Sequence, residues 1–441
     1  QPDRAVGGRT VRRAYPLCLR QGQRYNGHTH NNSTAWTAAD SLPNSAGSYY
    51  LTRSVSGSWA VAEGEVNLCL NGQTINGKIT IGSGRVQGEV TVNGGKFELY
   101  SGTITGGVQV GIKGSAYQTG SSFTMYGGEI TGNKAGSGGG GVFLVGTTNQ
   151  TDPPRFTMHG GTISDNTAGA SDGGGGGVYV GEKCSFTMDG GAITGNKATA
   201  GNGGGIYIHF NAGTVSISNA TITGNKASAT GNTSYGHGGG IYSERGVTVE
   251  NVTITGNNAK AGGGIYGKGA ITLTDATVTD NSQYDVYYDG RESNTPELTI
   301  SGSVKAGYYA NEAWKLPILV SGALREDSVI RVGVREGINL GAIAEPASGV
   351  TLSAENFKAD AADCVTSLGD DGKVYLVPCT HEMDDTGYTC KKCHTQFDAR
   401  VGDSAYYQTL TKAFDAARGN TVTLLRDVTL AGNCSSSYTY S

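Results

Sequence analysis

The fold is decided by a stretch that reads Phe123-Thr-Met-Tyr-Gly-Gly-Glu-Ile-Thr-Gly-Asn133, because the chain repeats it. Successive copies start 24 to 33 residues apart. Earlier and later starts lie at Leu68, Phe97 and Leu298. Close copies occupy 156–166 and 186–196, and weaker copies occupy 215–225, 247–257 and 271–281.

The spacing inside each copy is that of short strands. In the first copy, Phe123 and Met125 are two residues apart, and Ile130 follows after a corner. Steps of two place side chains on one face of a strand. The pair Gly127–Gly128 supplies the corner, because glycine tolerates the backbone angles of a tight bend. A third strand-like run, 142–144 in this copy, follows a Gly-rich stretch.

Three short strands in about 30 residues, with no helical period, predict an all-β chain folded as a right-handed parallel β-helix solenoid. A β-propeller needs four antiparallel strands over ~40–45 residues, so the spacing is too short for one. We expect one set of isoleucines to stack inside. We expect the terminal asparagines to form a ladder of bonded amides, the alternative being a repeated turn with solvated amides. The isoleucines are Ile130, Ile163, Ile193, Ile222 and Ile254, and the asparagines are Asn133, Asn166, Asn196, Asn225 and Asn257.

Composition excludes several classes of function. Glycine makes up 73 of the 441 residues, and the net charge is −4. This balance offers no basic stripe for nucleic acid. No run of about 18 apolar residues is present, so no transmembrane helix is expected. The eight cysteines are too few for a disulfide scaffold of this length. We expect a monomer.

The repeat also carries a family resemblance. Gly190-Gly-Ala-Ile-Thr-Gly-Asn196 and Gly203-Gly-Gly-Ile-Tyr207 resemble repeats of right-handed parallel β-helix proteins of the pectate-lyase-like superfamily. They resemble more closely the repeats of large bacterial surface proteins of the gut type. They are also similar to repeats of chlamydial polymorphic outer-membrane proteins, whose second motif has Phe where this chain has Ile. The segment from Leu42 to Gly72 resembles the entry segment of the same surface modules, and the resemblance spans about residues 28–430.

This resemblance implies an extracellular or cell-surface module of an adhesin-like bacterial protein. It implies adhesion or glycan binding together with a rigid spacer role. The implied partners are host or dietary glycans, or host surface proteins. The alternative is a polysaccharide-degrading glycoside hydrolase or lyase on the same fold. A groove with two close carboxylates favours the enzyme, and a flat face with a stripe of rings favours binding.

Composition divides the chain into five segments. Residues 1–27 form a basic tail that is expected to be disordered, and 28–285 form the β-helix. Residues 286–378 lack Gly runs and are expected to be closing coils that cap the solenoid. Residues 379–396 form a small Cys/His knuckle. Residues 397–441 contain an amphipathic helix and strands, which by the resemblance open a second, truncated β-helix module.

The Cys/His knuckle predicts a metal site. Cys379, His381, Cys390 and Cys393 supply three thiolates and one imidazole, a ligand set suited to Zn²⁺. Four protein ligands leave no open position, so we predict one structural zinc. His394 could replace His381. The alternatives are a disulfide, free thiols, or a redox pair at Cys390 and Cys393.

One aromatic residue recurs in successive third strands. If the flanking aliphatic residues point inward, alternation turns these rings outward into a strip. Such a strip can stack on sugars, so we predict that it contacts ligand. The alternatives are that Gly-rich loops cover the rings, or that the rings themselves point inward. The residues are Phe143, Tyr179, Tyr207, Tyr242 and Tyr266.

The candidates for catalysis are weaker. They are Asp165, Asp172, Asp189 and His237. Glycoside hydrolysis needs two carboxylates about 5–9.5 Å apart, and neighbouring copies carry glycine at the place of Asp165. No serine-hydrolase, phosphate-loop or zinc-protease motif is present.

Overall fold

Burial alternates along each repeat and builds the coil. In strand Ser122–Met125, Phe123 and Met125 are buried, whereas their neighbours are half-buried. The computed structural model pairs this strand in parallel, residue for residue, with Arg155–Met158 of the next repeat. The same pairing runs from repeat to repeat. The predicted parallel β-helix is therefore confirmed.

The structure describes most of the chain between residues 37 and 428. The predicted tail at 1–27 and the candidate Asp172 lie outside the described residues. These residues are 37–45, 47–53, 55–56, 59–61, 66–69, 75–76, 79–81, 85–87, 90–92, 96–99, 102–111, 120–146, 151–169, 173–229, 235–289, 297–310, 317–334, 341–360, 364–403 and 405–428.

The first face of the solenoid is a 14-stranded sheet. Its strands pair in parallel until the end, where the last two form an antiparallel hairpin. They are Trp59–Val61, Ile79–Ile81, Lys96–Leu99, Ser122–Met125, Arg155–Met158, Ser185–Met188, Val215–Ser218, Val247–Glu250, Ile271–Thr274, Leu298–Gly302, Ile318–Leu324 and Ala342–Pro346, then the hairpin Cys364–Leu368 and Val374–Pro378.

The second and third faces belong to one 22-stranded sheet. The second face consists of Thr37–Ala39, Gly47–Leu51, Val66–Cys69, Arg85–Gln87, Thr103–Ile104, Glu129–Thr131, Thr162–Ser164, Ala192–Thr194, Thr221–Thr223, Thr253–Thr255 and Thr277–Thr279. The third face consists of Val90–Val92, Val108–Val110, Val142–Leu144, Val178–Val180, Ile206–Ile208, Ile241–Ser243, Ile265–Gly267 and Val286–Tyr288. The two faces join at Lys305–Ala310, which is followed by Val329–Val334 and Phe357–Ala359.

The structure adds short strands that the repeat pattern did not predict. Four coils carry a two-residue strand directly after the terminal asparagine, and these strands pair in a sheet of their own. They are Lys134–Ala135, Thr167–Ala168, Lys197–Ala198 and Lys226–Ala227. A separate pair is formed by Val55–Ser56 and Ile75–Asn76, and a 3₁₀ helix spans Ala354–Asn356.

The core is a set of stacked columns. The first-face phenylalanines Phe97, Phe123, Phe156 and Phe186 stack with ring centroids 4.7 to 5.1 Å apart. The predicted isoleucine column is confirmed, because all five side chains are fully buried and pair in register. Since an isolated coil could not bury this face, the columns tie each coil to its neighbours.

The asparagine ladder is also confirmed. All five predicted amides are buried, with no more than 1% of each residue exposed. Asn196 shows the pattern, since its Nδ2 donates to Asn225 Oδ1 at 3.0 Å and to the Ile163 carbonyl at 2.9 Å. Its Oδ1 accepts from the backbone and side-chain nitrogens of Asn166, at 3.0 and 2.9 Å.

The two ends of this ladder differ. At the C-terminal end, Asn257 donates to Asn281, which donates to Asp285 Oδ1 at 3.1 Å. A carboxylate only accepts, so Asp285 terminates the chain of donors, and its other oxygen lies 3.2 Å from the Arg331 guanidinium. At the N-terminal end, Asn133 Oδ1 is buried and accepts no hydrogen bond within the described part of the chain.

The C-terminal residues form a small unit beside the cap. Helix Leu410–Ala417 lies where the amphipathic pattern predicts it, and Thr409 caps it by accepting from the Lys412 backbone at 3.3 Å. The helix packs on an antiparallel sheet of Ala399–Val401, Ala405–Tyr407 and Val422–Leu424. Because this sheet is not a parallel coil, the opening of a second β-helix stays a prediction.

Candidate metal centre and aromatic ladder

The antiparallel hairpin that ends the first face, Cys364–Leu368 and Val374–Pro378, is called the cap hairpin here. It leads directly into the four predicted metal ligands. Cys379 and His381 follow strand Val374–Pro378, and Cys390 and Cys393 lie in the next turn. One potential ligand atom from each residue lies within 4.8 Å of those of the other three. The structure therefore brings together a group that could hold one metal ion.

The distances within this group bear on the disulfide alternative. Cys379 Sγ and Cys390 Sγ are 3.6 Å apart, and Cys393 Sγ is 3.6 Å from His381 Nδ1. A disulfide needs about 2.05 Å between sulfurs. Cys379, Cys390 and Cys393 are all free thiols. The geometry is that of four separate donors around a common point.

The turn that carries Cys390 and Cys393 is followed directly by His394, the second candidate histidine. The Lys392 backbone nitrogen donates to Cys390 Sγ at 3.4 Å. His394 adopts a left-handed conformation, with φ 54°, and its backbone nitrogen donates to the Cys390 carbonyl at 2.9 Å. His381 and not His394 belongs to the ligand group.

The two neighbouring thiols differ in acidity. Burial raises the pKa of Cys379 to about 12, and hydrogen bonds to the other two thiols add to this effect. At Cys390, burial also acts to raise the pKa, but backbone hydrogen bonds and His381 outweigh it and lower the pKa to about 6. Because the thiolate is the form that binds a metal, the lowered pKa of Cys390 favours its role as a ligand.

The ligand group lies in a small core to which two parts of the chain contribute. Cys379, Cys390 and Phe397 are buried. The His381 ring meets Phe397 edge-on at 4.6 Å and Tyr406 at 5.8 Å. Val365 from the cap hairpin and Leu425 from the C-terminal unit pack on the same cluster. An ion bound here would fasten the cap hairpin to the C-terminal unit.

The predicted aromatic column exists and is longer than expected. Its rings stack in consecutive third-face strands with centroids 4.9 to 5.3 Å apart from Tyr179 to Tyr287. Phe143 meets Tyr179 edge-on at 5.1 Å, and Tyr309 extends the other end at 5.9 Å from Tyr287. We call this column the aromatic ladder. Its members are Phe143, Tyr179, Tyr207, Tyr242, Tyr266, Tyr287 and Tyr309.

The expectation of an open strip needs correction. Tyr207, Tyr242 and Tyr266 pack outside the main core, yet they are only 3 to 5% exposed. Gly-rich loops account for this burial. A Cβ on Gly138 would lie 2.8 Å from the Tyr179 ring, and the loop can come this close only because it lacks one. The middle of the ladder is thus closed to a sugar, whereas Phe143 and Tyr179 are half-buried.

Charged residues satisfy the phenols of the buried rings. The Tyr266 hydroxyl donates to Asp289, and the Lys268 ammonium lies 5.7 Å from the centre of the Tyr242 ring. Burial raises the pKa of Tyr207 and Tyr266 well above the ordinary value, and Glu244 and Asp289 respectively add to the shift. These phenols are neutral hydrogen-bond donors at ordinary pH.

The catalytic candidates are found in different places. Asp165 is exposed with φ 53°, at a turn where Gly132 and Gly195 have φ 70° and 65°. Aspartate tolerates this left-handed conformation better than most residues, which gives Asp165 a local role. His237 stacks on Tyr266 at 4.8 Å and so belongs to the cover of the aromatic ladder.

Asp189 forms a contact that the sequence reasoning missed. Its carboxylate lies 2.8 Å from His159 Nδ1, and His159 stacks on Tyr126 at 5.1 Å. All three residues immediately precede a Gly-Gly corner, so their shared place in the repeat could have revealed the row. Both partners of the ion pair are 41% exposed. Exposed pairs of this kind contribute about 0–1 kcal/mol.

Comparisons with known protein families, curated proteins and solved structures found no match to this chain. In the residues that the structure describes, no helix is long and apolar enough to cross a membrane.

Proposed function

We propose that this chain is a non-catalytic, extracellular β-helix module of a bacterial surface protein. In this proposal the solenoid is a rigid spacer, and its surface contributes adhesion to host or dietary glycans. The proposal includes membership of the pectate-lyase-like group of β-helices, which rests on the repeat motifs. The observation that carries it is the continuous registered stack of coils.

The stack is built to resist bending. Ten parallel first-face strands run from Lys96–Leu99 to Ala342–Pro346. At a strand spacing of about 4.8 Å, they amount to a rod of roughly 43 Å. Phenylalanine, isoleucine, asparagine and tyrosine columns run along it side by side. Because these columns lie on different faces, a bend in any direction would separate the residues of the column on its convex side.

The candidates for chemistry support a binding role over hydrolysis. Asp165 occupies a left-handed turn that aspartate tolerates, Asp189 pairs with His159, and His237 covers a tyrosine. The side chains of Asp189 and His237 therefore have structural contacts where they lie. The polysaccharide-degrading alternative would need one of these three residues, or Asp172, to act on substrate.

We further propose that the ion held by the Cys/His group is Zn²⁺. With bonds of about 2.3 Å to sulfur and 2.0–2.1 Å to nitrogen, tetrahedral angles place two sulfurs about 3.8 Å apart and sulfur and nitrogen about 3.6 Å apart. Two of the six separations in the group, Cys379 Sγ to Cys390 Sγ and Cys393 Sγ to His381 Nδ1, are 3.6 Å, and all six are within 4.8 Å. Three thiolates and one imidazole suit zinc and leave no position for a reactive water.

A single experiment tests the main proposal. The whole chain is applied to an immobilised panel of plant and host glycans, and both retention of the protein and release of new chain ends are measured. We expect retention without cleavage. New reducing ends or unsaturated products would overturn the proposal in favour of the hydrolase or lyase. Absence of any retention would overturn the adhesive part and leave the spacer role.

A further inference from the structure

A cleft of about 100 Å³ opens at one end of the aromatic ladder. One wall is formed by residues 106–109 and the other by 135–140, and the Phe143 ring borders both. The cleft exists because two neighbouring coils differ in length. The earlier coil passes from Gly107 straight into its third-face strand, whereas the next coil inserts the short strand Lys134–Ala135 and a Gly-rich loop, 136–141, before its own. That loop overhangs the shorter coil.

Two ladders end at this boundary. Ile104 pairs with Ile130, so Gly107 takes the place that Asn133 holds one coil later. Gln109 pairs with Phe143, so an amide takes the place of a ring. Phe143 is therefore the last rung of the aromatic ladder, with Tyr179 on one side and the cleft on the other.

The overhanging loop brings hydrogen-bond acceptors to the cleft. The Gly139 and Gly140 backbone nitrogens donate to the Gly174 and Gly175 carbonyls of the next loop, at 2.9 and 3.0 Å. Each loop thus points its carbonyls back toward the loop before it. The shorter coil has no such loop, so by analogy with the next coil we infer that the corresponding carbonyls, at positions 138 and 139, face the cleft. The Ser137 hydroxyl already donates to the Gly138 carbonyl, at 3.4 Å. Gln109 also lines the cleft, and its side-chain nitrogen donates to the Gly111 carbonyl at 3.0 Å, which leaves the amide oxygen as a further acceptor.

We propose that this cleft binds one neutral sugar ring, which packs against Phe143 at the end of the aromatic ladder. The lining contains no ionisable side chain, so it offers no attraction to a uronate or another charged ligand. An aromatic face beside several acceptors suits a ring with an apolar face and several hydroxyl donors.

The size of the cleft limits the ligand. Pockets for drug-sized ligands span about 300–1,000 Å³, so a cleft of about 100 Å³ holds one ring of a longer glycan. A single site of this kind binds weakly, and repeated modules would raise the avidity. This inference rests on the proposed adhesive function and assigns it a site. An aromatic side chain of a partner protein would use the ring face but leave the carbonyl acceptors unbonded.

The test uses the intact chain and saturation-transfer NMR. The probes are the methyl glycosides of glucose, galactose and mannose, with galacturonate as the charged comparison and indole as the aromatic one. Phe143→Ala removes the stacking face. Gly136→Leu adds a side chain at the wall of the cleft, because Gly136 lines it and a Cβ there meets no atom within 4 Å. The matched controls are Tyr287→Ala, a half-buried rung far from the cleft, and Gly341→Leu, another open glycine.

We expect at least one neutral glycoside to bind with a millimolar Kd. Loss of one stacking contact should weaken it roughly 2- to 10-fold in Phe143→Ala. Gly136→Leu should abolish saturable binding, and both controls should bind as the parent does, with unchanged circular dichroism.

Equal binding by the parent and both cleft variants would overturn the site while leaving adhesion elsewhere on the surface intact. Binding of indole or galacturonate with no neutral glycoside would overturn the ligand class. A chain that binds the monosaccharides but is not retained on the glycan panel would contradict the adhesive function alone.

Discussion

Truncating one amide in the asparagine ladder should destabilise the solenoid far more than its size suggests. In Asn196→Ala, Asn166 loses the acceptor for its backbone nitrogen and for one hydrogen of its side chain. Both donors are buried. A stranded buried donor costs about 1–3 kcal/mol, so the free energy of unfolding should fall by about 2–6 kcal/mol.

Urea unfolding, combined with amide hydrogen exchange in the flanking coils, measures this effect. Asn251→Gly is the matched control, because Asn251 bonds Asn219 across coils at 2.7 Å on the exposed surface. Its φ of 51° is one that glycine adopts freely. We expect this control to change stability by no more than about 0.5 kcal/mol. If Asn196→Ala unfolds within 0.5 kcal/mol of the parent, the ladder is not a stabilising element.

Three further outcomes are expected. Cys393→Ser should bind clearly less than one equivalent of zinc and lose hydrogen-exchange protection over 379–425. Cys364→Ser, which changes a thiol outside the ligand group, should keep the zinc content and the protection of the parent. Equal zinc content in the two variants would refute the site. Phe156→Ala should cost about 3–5 kcal/mol, against little for the half-buried neighbour Thr157→Ala, as urea midpoints will show. Because burial raises the phenol pKa of Tyr207 and Tyr266, the unfolded chain releases these protons first, near pH 10; their contribution to stability is complete below about pH 10 and declines above it. The ultraviolet absorbance of phenolate should therefore appear at a higher pH in the native chain than in denaturant. The same titration curve in both conditions would contradict the burial of these phenols.

Much of the architecture could be predicted from the sequence because the repeat is nearly exact. Phe123, Met125 and Ile130 recur with strand spacing, and all three are buried as the spacing requires. The amide ladder was also predictable, since one asparagine recurs at the same turn and identical side chains at 4.8 Å can bond one another. The short strand after each asparagine was not predicted, because two residues carry no detectable period.

The candidate functional sites could be predicted less well from the sequence, for a physical reason. Alternation correctly placed the tyrosines outside the main core but could not say what covers them. The cover consists of Gly-rich loops, which have no side-chain pattern of their own and whose path depends on the loop beneath. The row that contains His159 and Asp189 could have been found from their shared place before the Gly-Gly corner, but only the structure shows that the two side chains contact each other.

The sequence by itself determined the parallel coil and its core columns, because similar residues recur in it at nearly constant intervals. It also singled out Cys379, His381, Cys390 and Cys393 as a group that could hold a metal ion, because cysteine and histidine are close together there. Only the tertiary structure decided which surfaces stay open. The central tyrosines are buried because loops stack over them, and Phe143 borders a cleft because one coil lacks the loop that its neighbour has. The exposure of a side chain depends on how its coil and the adjacent coil differ in length, and this difference affects the surface only once the coils are stacked.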